Sequence, residues 1–318
     1  MALTSHNQLI LSVYIVTFVT GLPTNILAFY TFCMKVRRKP APIDILLLNL
    51  TISDLIFLLF LPFRMVDVLS ESWVLPNFLC PLSGFIFYST IYISTFFLMG
   101  VSMERYFGVA YPVQYTMNRK PMYAAWVSVF FWVISTAHCT VIYIVQYQEP
   151  GNGTQNVSIC YDGFTEKQLD VLLPVRFEMF FVLFCIPLLI TSFCYINFIR
   201  ILTTLPNISR QRKQRAIGLA LGTLLVFILC FCPYNISHVV GFVKWESPTW
   251  RVMTLLLSTF NACLDPIVFY FSSSEVQNNI RNCISGVLVK IQAIGLCKRL
   301  CPAVATVDEQ MESSFNNL

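Results

Sequence analysis

The sequence predicts an all-α membrane protein, a bundle of seven transmembrane helices with an extracellular N-terminus. Three observations predict it. Of the 318 residues, 56% are hydrophobic and only 12% charged, far from the averages of soluble chains. The apolar residues gather into seven runs, each near the roughly 20 residues that a membrane-spanning helix requires. The positive residues sit mainly in short segments between these runs, a positive-inside pattern that accounts for the net charge of +5 without nucleic acid.

The third run organises the rest. It carries no charge from Pro81 to Met103, with Cys80 at one membrane face and Glu104 and Arg105 at the other. One span so marked supplies an outer anchor, a ligand-facing half and an inner switch.

In chain order, span 1 (9–33) is interrupted by Gly21, Pro23 and Asn25 and ends at Lys35, Arg37, Arg38 and Lys39, a cluster expected to stay cytoplasmic. No charged leader precedes it, so it is expected to direct insertion itself. Span 2 (43–69) holds Asp54 in its middle and Pro62 and Arg64 toward its far end. After span 3 the loop carries Arg119 and Lys120, and span 4 (123–144) includes Trp132 and His138. Span 5 (172–202) opens with Pro174 and Arg176 and is expected to bend at Pro187. A basic linker, Arg210 to Arg215, leads into span 6 (216–243), and span 7 covers 250–271.

The segment 145–171 is acidic and contains glycosylation acceptors at Asn152 and Asn156, so charge and sequons place the same loop outside. Further sequons at Asn49, Asn207 and Asn235 fall in spans or the inner linker and should be silent. Cys80 and Cys160 are the two cysteines that read as extracellular, and the secretory route should oxidise them to a disulfide that pins the loop over span 3. Cys33, Cys139, Cys185, Cys194, Cys230 and Cys263 fall within spans and read as small buried hydrophobes.

With no internal repeat, residues 1–271 form one receptor-like domain. The spacing of Val276, Ile280 and Ile284 predicts an amphipathic helix on the inner membrane surface within 272–301, followed by a cytoplasmic tail, 302–318. Cys283, Cys297 and Cys301 are either palmitate sites or plain thiols.

Charges inside a bilayer are costly, so each needs a partner or a task. Here they form two layers. The inner one is Asp54, Glu104, Arg105 and Asp265; the outer one is Arg64, Arg176, Glu178, Arg251 and His238, with His138 somewhat deeper. Two polar layers imply two sites coupled through the bundle.

On these residues the chain resembles the rhodopsin-like (class A) G-protein-coupled receptors across all seven spans. The likeness rests on residues 21–25, residues 50–54, Cys80 with Cys160, Glu104-Arg105-Tyr106, Trp132, Pro187 with Tyr195, Cys230-Phe231-Cys232-Pro233 and Asp265-Pro266. It departs from the family pattern at Phe231, where tryptophan is usual, and at Asp265 and Phe269, where asparagine and tyrosine are usual. The span 6 toggle should therefore be packed differently. The resemblance implies a sodium pocket at Asp54, Ser94, Asn261 and Asp265. It also makes Glu104, Arg105 and Tyr106 the switch that opens a cleft for a heterotrimeric G protein, inhibitory or coupled to phospholipase C. Thr306, Ser313 and Ser314 would be kinase sites for arrestin.

Within the class, residues 93–114, His138-Cys139, residues 171–178, residues 233–238, Trp250-Arg251 and residues 264–274 are similar to the short-chain free fatty acid receptors. That likeness implies a plasma-membrane receptor for acetate, propionate and butyrate. Arg176 and Arg251 would hold the carboxylate, His238, Tyr234 and Tyr88 surround it, and His138 affect which acids fit.

Elementary chemistry points the same way. Arginine presents a fork of donors that matches a carboxylate and keeps its charge at any working pH. Tyr234 and His238 share a face of span 6, as Tyr88 and Tyr92 do of span 3. The competing reading pairs Arg176 with Glu178 or Asp162 and lets Arg251 snorkel to the outer interface. Affinity is bounded too: at about 1.5 kcal/mol per heavy atom, a ligand the size of acetate binds no tighter than roughly tens of micromolar.

Other classes fit less well. A transporter would be expected to carry repeats. An opsin needs a span 7 lysine, which 250–271 lacks, and no enzyme motif is present; no cofactor is expected apart from the sodium ion. Among ligands the alternatives are a longer-chain fatty acid, a hydroxy acid or a nucleotide.

Overall fold

The computed structural model of this chain describes residues 4–70, 73–118, 120–147, 160, 164–206, 208–272 and 285, and the regular structure among them is helical. With no water in the bilayer core, each spanning segment satisfies its backbone within itself, and apolar runs of this length do so as helices. Spans 1 to 3 are α1 (Ser5–Arg38), α2 (Pro42–Ser70) and α3 (Leu79–Ala110). A short loop helix, α4 (Pro112–Asn118), leads to span 4, made of α5 (Pro121–Cys139) and, after a turn at Thr140, α6 (Val141–Tyr147). Span 5 joins α7 (Glu166–Met179), a π-helical segment (Phe180–Cys185) and α8 (Ile186–Thr204); span 6 is α9 (Arg210–Lys244).

These six are long and apolar enough to cross a membrane. The seventh span is two shorter helices, α10 (Arg251–Thr259) and α11 (Asn261–Ser272), parted at Phe260. The helix expected after span 7, its cysteines and the tail lie outside the described residues, apart from residues 272 and 285. So do Asn152 and Asn156.

Several helices outrun the apolar stretches that predict them, because capping side chains set the ends. Thr4 accepts from the backbone of Asn7 at 3.3 Å at the head of α1, Thr165 and Gln168 form a capping box on α7, and Ser209 accepts from Arg212 at 3.5 Å on α9. Asn235 is buried inside the bundle, and Asn49 is half-buried, accepting the Trp132 indole N–H at 3.1 Å.

Proline shapes spans 5 and 7. It lacks an N–H, so the carbonyl four residues earlier loses its donor and another group must supply one. For Pro187 that carbonyl is Leu183, which accepts the Thr95 hydroxyl at 3.0 Å, and the expected bend takes the form of the π-helical segment just before the proline. For Pro266 it is Ala262, which accepts the Asn25 amide from α1 at 2.7 Å. Gly21 makes this approach possible: a Cβ there would stand 3.2 Å from Leu58 and 3.5 Å from the Ala262 carbonyl.

Helix α3 is the axle, with every residue from Phe87 to Ser102 buried. Its head is tied to the outer loop by the Cys80–Cys160 disulfide, Cα to Cα 5.6 Å. Across the bundle, α9 ends at Trp245 in the left-handed conformation (φ 54°), its indole donating to Asp170 at 3.2 Å. That turn sets Ser247 beside the ligand-facing half.

Candidate ligand-binding site

Four helices bring one polar group each, or more, to a closed space beneath the disulfide. Helix α3 contributes Tyr88 and Tyr92, α7 Arg176, α9 Tyr234 and His238, and α10 Arg251. All six are buried, Arg176 at 4% exposure and Arg251 at 6%. The space open to the centre of a water-sized sphere is about 20 Å³, room for about one water.

Arg251 donates to the Tyr88 hydroxyl at 2.9 Å, and its guanidinium carbon lies 5.5 Å from the Tyr88 ring centre and 5.8 Å from that of Tyr234. The two rings are parallel within 15° and 6.2 Å apart, so the cation sits against a pair of π-faces. Tyr234 also meets the His238 ring edge-on at 4.7 Å, and His238 Nε2 is 2.9 Å from the Tyr92 hydroxyl. The buried His238 Nδ1 has no hydrogen-bond partner among the described residues. Arg176 donates to Ser247 Oγ at 3.5 Å and lies 5.2 Å from the Phe164 ring centre.

Two permanent cations thus line one small cavity, together with phenol and imidazole groups. A carboxylate brings one oxygen for each fork and removes the cost of holding like charges together in low dielectric. Two parts of the alternative reading of the arginines can be placed among the described residues. Glu178 faces His138, Oε1 to Nε2 3.1 Å, and Arg251 is buried where a snorkelling side chain would reach water. Asp162 lies outside the described residues.

His138 is not among the residues lining the cavity. Its Nδ1 donates to the Ile134 carbonyl at 2.7 Å and its other nitrogen faces Glu178, across the seam between α5 and α7. Its chain neighbour Cys139 does line the cavity. Sequence reasoning left Tyr92 off the site although its four-residue spacing from Tyr88 was the available signal. Ser247 and Phe164 carried no signal, since loop closure alone brings them to Arg176.

Deeper in the bundle, Asp54 and Ser94 line a second small cavity with Asn261, whose amide donates to Asp265 at 2.8 Å. Asp54 Oδ2, Asn261 Oδ1 and Asp265 Oδ1 are buried and without a hydrogen-bond partner among the described residues. Phe231 forms another wall and meets Phe227 edge-on at 5.4 Å, so the toggle position is held by phenylalanine packing. At the cytoplasmic end of α3, Glu104 accepts the Tyr115 hydroxyl of α4 at 2.6 Å, and Tyr106 packs edge-on against Phe193 of α8 at 5.9 Å.

Residues 24–269 match the family described as 7 transmembrane receptor (rhodopsin family). The chain belongs to that family. It is therefore a multi-pass receptor of the plasma membrane. Free fatty acid receptor 3 of Rattus norvegicus is 50% identical over 284 residues, 88% of each chain. Free fatty acid receptor 2 of Mus musculus is 52% identical over 276 residues, 86% of this chain and 84% of its own. Free fatty acid receptor 1 of Macaca fascicularis is 31% identical over 277 residues, 82% of this receptor and 90% of its own length.

Proposed function

We propose that this receptor is activated by short-chain carboxylates, acetate, propionate and butyrate, and signals through a heterotrimeric G protein. The observation that carries this is the convergence of Arg176 and Arg251, with His238 and three tyrosines, on one cavity of very small volume. Two guanidiniums call for an anion, and so tight a cavity favours a small one. The names of the receptors to which it is about half identical support a fatty acid as the ligand. Glu104, Arg105 and Tyr106 transmit the signal at the inner end of α3, and phosphorylation of the tail at Thr306, Ser313 and Ser314 recruits arrestin.

The test is a carboxylate series from two to twelve carbons, read as cyclic AMP and calcium in cells with measured surface expression. Acids of two to about five carbons should act at high micromolar to millimolar concentration, within the ceiling set by their few atoms. Activation by the long acids alone would transfer the assignment to the runner-up, and silence with every acid would leave hydroxy acids and nucleotides to be tried.

The inner polar cavity fits a sodium ion. Three partnerless oxygens, two from carboxylates, are the hard donors such a cation takes, and the space of about 20 Å³ suits one ion. Asp54, Ser94, Asn261 and Asp265 would hold it, neutralising the buried carboxylates of the inactive receptor. Replacing sodium by N-methylglucamine should tighten propionate binding several-fold in the wild type and leave Asp54→Ala unmoved. The same sodium effect in that variant would remove the ion from this site.

A further inference from the structure

A second chamber opens on the outer side of the carboxylate cavity, between the ends of α1, α2 and α10, and it is far larger. Its volume by the same measure is about 270 Å³, against about 20 Å³. Tyr88 and Arg251 line both spaces, so the stacked phenol and its guanidinium form the partition between them.

The chamber has its own cation. Arg64 of α2 lines it with a side chain only 15% exposed, its Nη1 3.4 Å from Asp67 Oδ2. Tyr14 of α1 lines the chamber with it, and the Arg64 guanidinium carbon stands 5.8 Å from the Phe87 ring centre. It also reaches Cys160 Sγ at 3.7 Å, which places it at the disulfide that closes the outer face. Among the described residues, the chamber is lined by two guanidiniums, Arg64 and Arg251, by one carboxylate, Asp67, and by the His6 imidazole. An excess positive charge in a half-buried, low-dielectric recess attracts an anion from water and holds it.

We infer that this chamber is a second carboxylate-binding site, anchored by Arg64 and joined to the inner one through Arg251. An acid of two to five carbons enters it whole, its carboxylate on Arg64 and Arg251 and its chain against Ile10, Val252 and Leu255. Asp67 is the internal competitor for the same guanidinium. The inner cavity, with its single-water volume, then fills from this station when Tyr88 and Arg251 give way. The inference rests on the carboxylate reading of the inner cavity, and its test separates the two.

The experiment is binding of ¹³C-propionate to the purified full-length receptor in detergent, followed by NMR line broadening against matched sodium chloride. Arg176→Ala should lose signalling and inner-site binding while keeping a propionate site. Adding Arg64→Gln should weaken that remaining site by at least tenfold, and Asp67→Asn should tighten it by several-fold, which a purely structural Arg64–Asp67 pair would not do. In the otherwise wild-type receptor, Arg64→Gln should raise the half-maximal concentration without lowering the maximal response.

Loss of all binding in Arg176→Ala alone, or remaining binding indifferent to Arg64→Gln, would overturn the second site. Normal signalling and binding in Arg176→Ala, abolished by Arg64→Gln, would instead overturn the inner site and leave the outer one standing.

Discussion

Arg251→Ala should silence the response to every short-chain carboxylate while the receptor still reaches the cell surface, and Arg176→Ala should do the same. Truncating one side of a buried, charge-assisted contact costs about 2–5 kcal/mol, roughly 30-fold to several-thousand-fold in affinity. A ligand the size of acetate, about four heavy atoms, has no reserve against such a loss, because its best affinity already lies near tens of micromolar. Arg251 should be the more severe of the two, since its removal also takes away the donor to the Tyr88 hydroxyl and the cation against the Tyr88 and Tyr234 rings. Arg251→Lys keeps the charge but not the planar fork, so it should recover only part of the response. The measurement is a propionate concentration series with surface receptor counted in the same cells. Wild-type half-maximal concentrations in both alanine variants would sink the two-arginine site.

Cys80→Ser should remove most receptor from the surface and the response with it. The bridge closes a loop of 80 residues, and the chain-entropy model assigns such a loop about 4.5 kcal/mol. More than stability depends on it, because Cys160 lines the outer chamber, close to Arg64. Cys160→Ser should match Cys80→Ser, and the double variant should be no worse than either single one, as expected when one bond is cut twice. Surface immunostaining and propionate response read both effects. An unchanged response in Cys80→Ser would show that the bridge has no part in function.

The arginines illustrate how far pattern reading reaches. That Arg176 and Arg251 stand in the outer layer follows from their positions in apolar runs, and that Tyr234 and His238 share a face follows from helical period. His138 reads as only somewhat deeper than that layer, which does not by itself take it out of the site. The structure turns it toward Glu178 on the seam between α5 and α7, a matter of helix rotation that no local pattern encodes. Arg64 is the converse: visible as an intramembrane charge, yet without a task until α1, α2 and α10 enclose a chamber around it.

The prolines divide in the same way. Pro187 and Pro266 announce disrupted helices, but which group repairs each freed carbonyl, Thr95 for one and Asn25 for the other, depends on contacts 88 and 237 residues apart in sequence. Seven spans, their direction through the membrane, the disulfide cysteines and the arginine chemistry were determined by sequence alone, because bilayer thickness, charge cost and oxidation act on residue types wherever the chain later packs. Which residues face one another was decided only by tertiary structure. Helix rotation and depth come from close approaches such as Gly21 against Leu58 and Ala262, where removing a single Cβ sets the register of a whole helix against its neighbours.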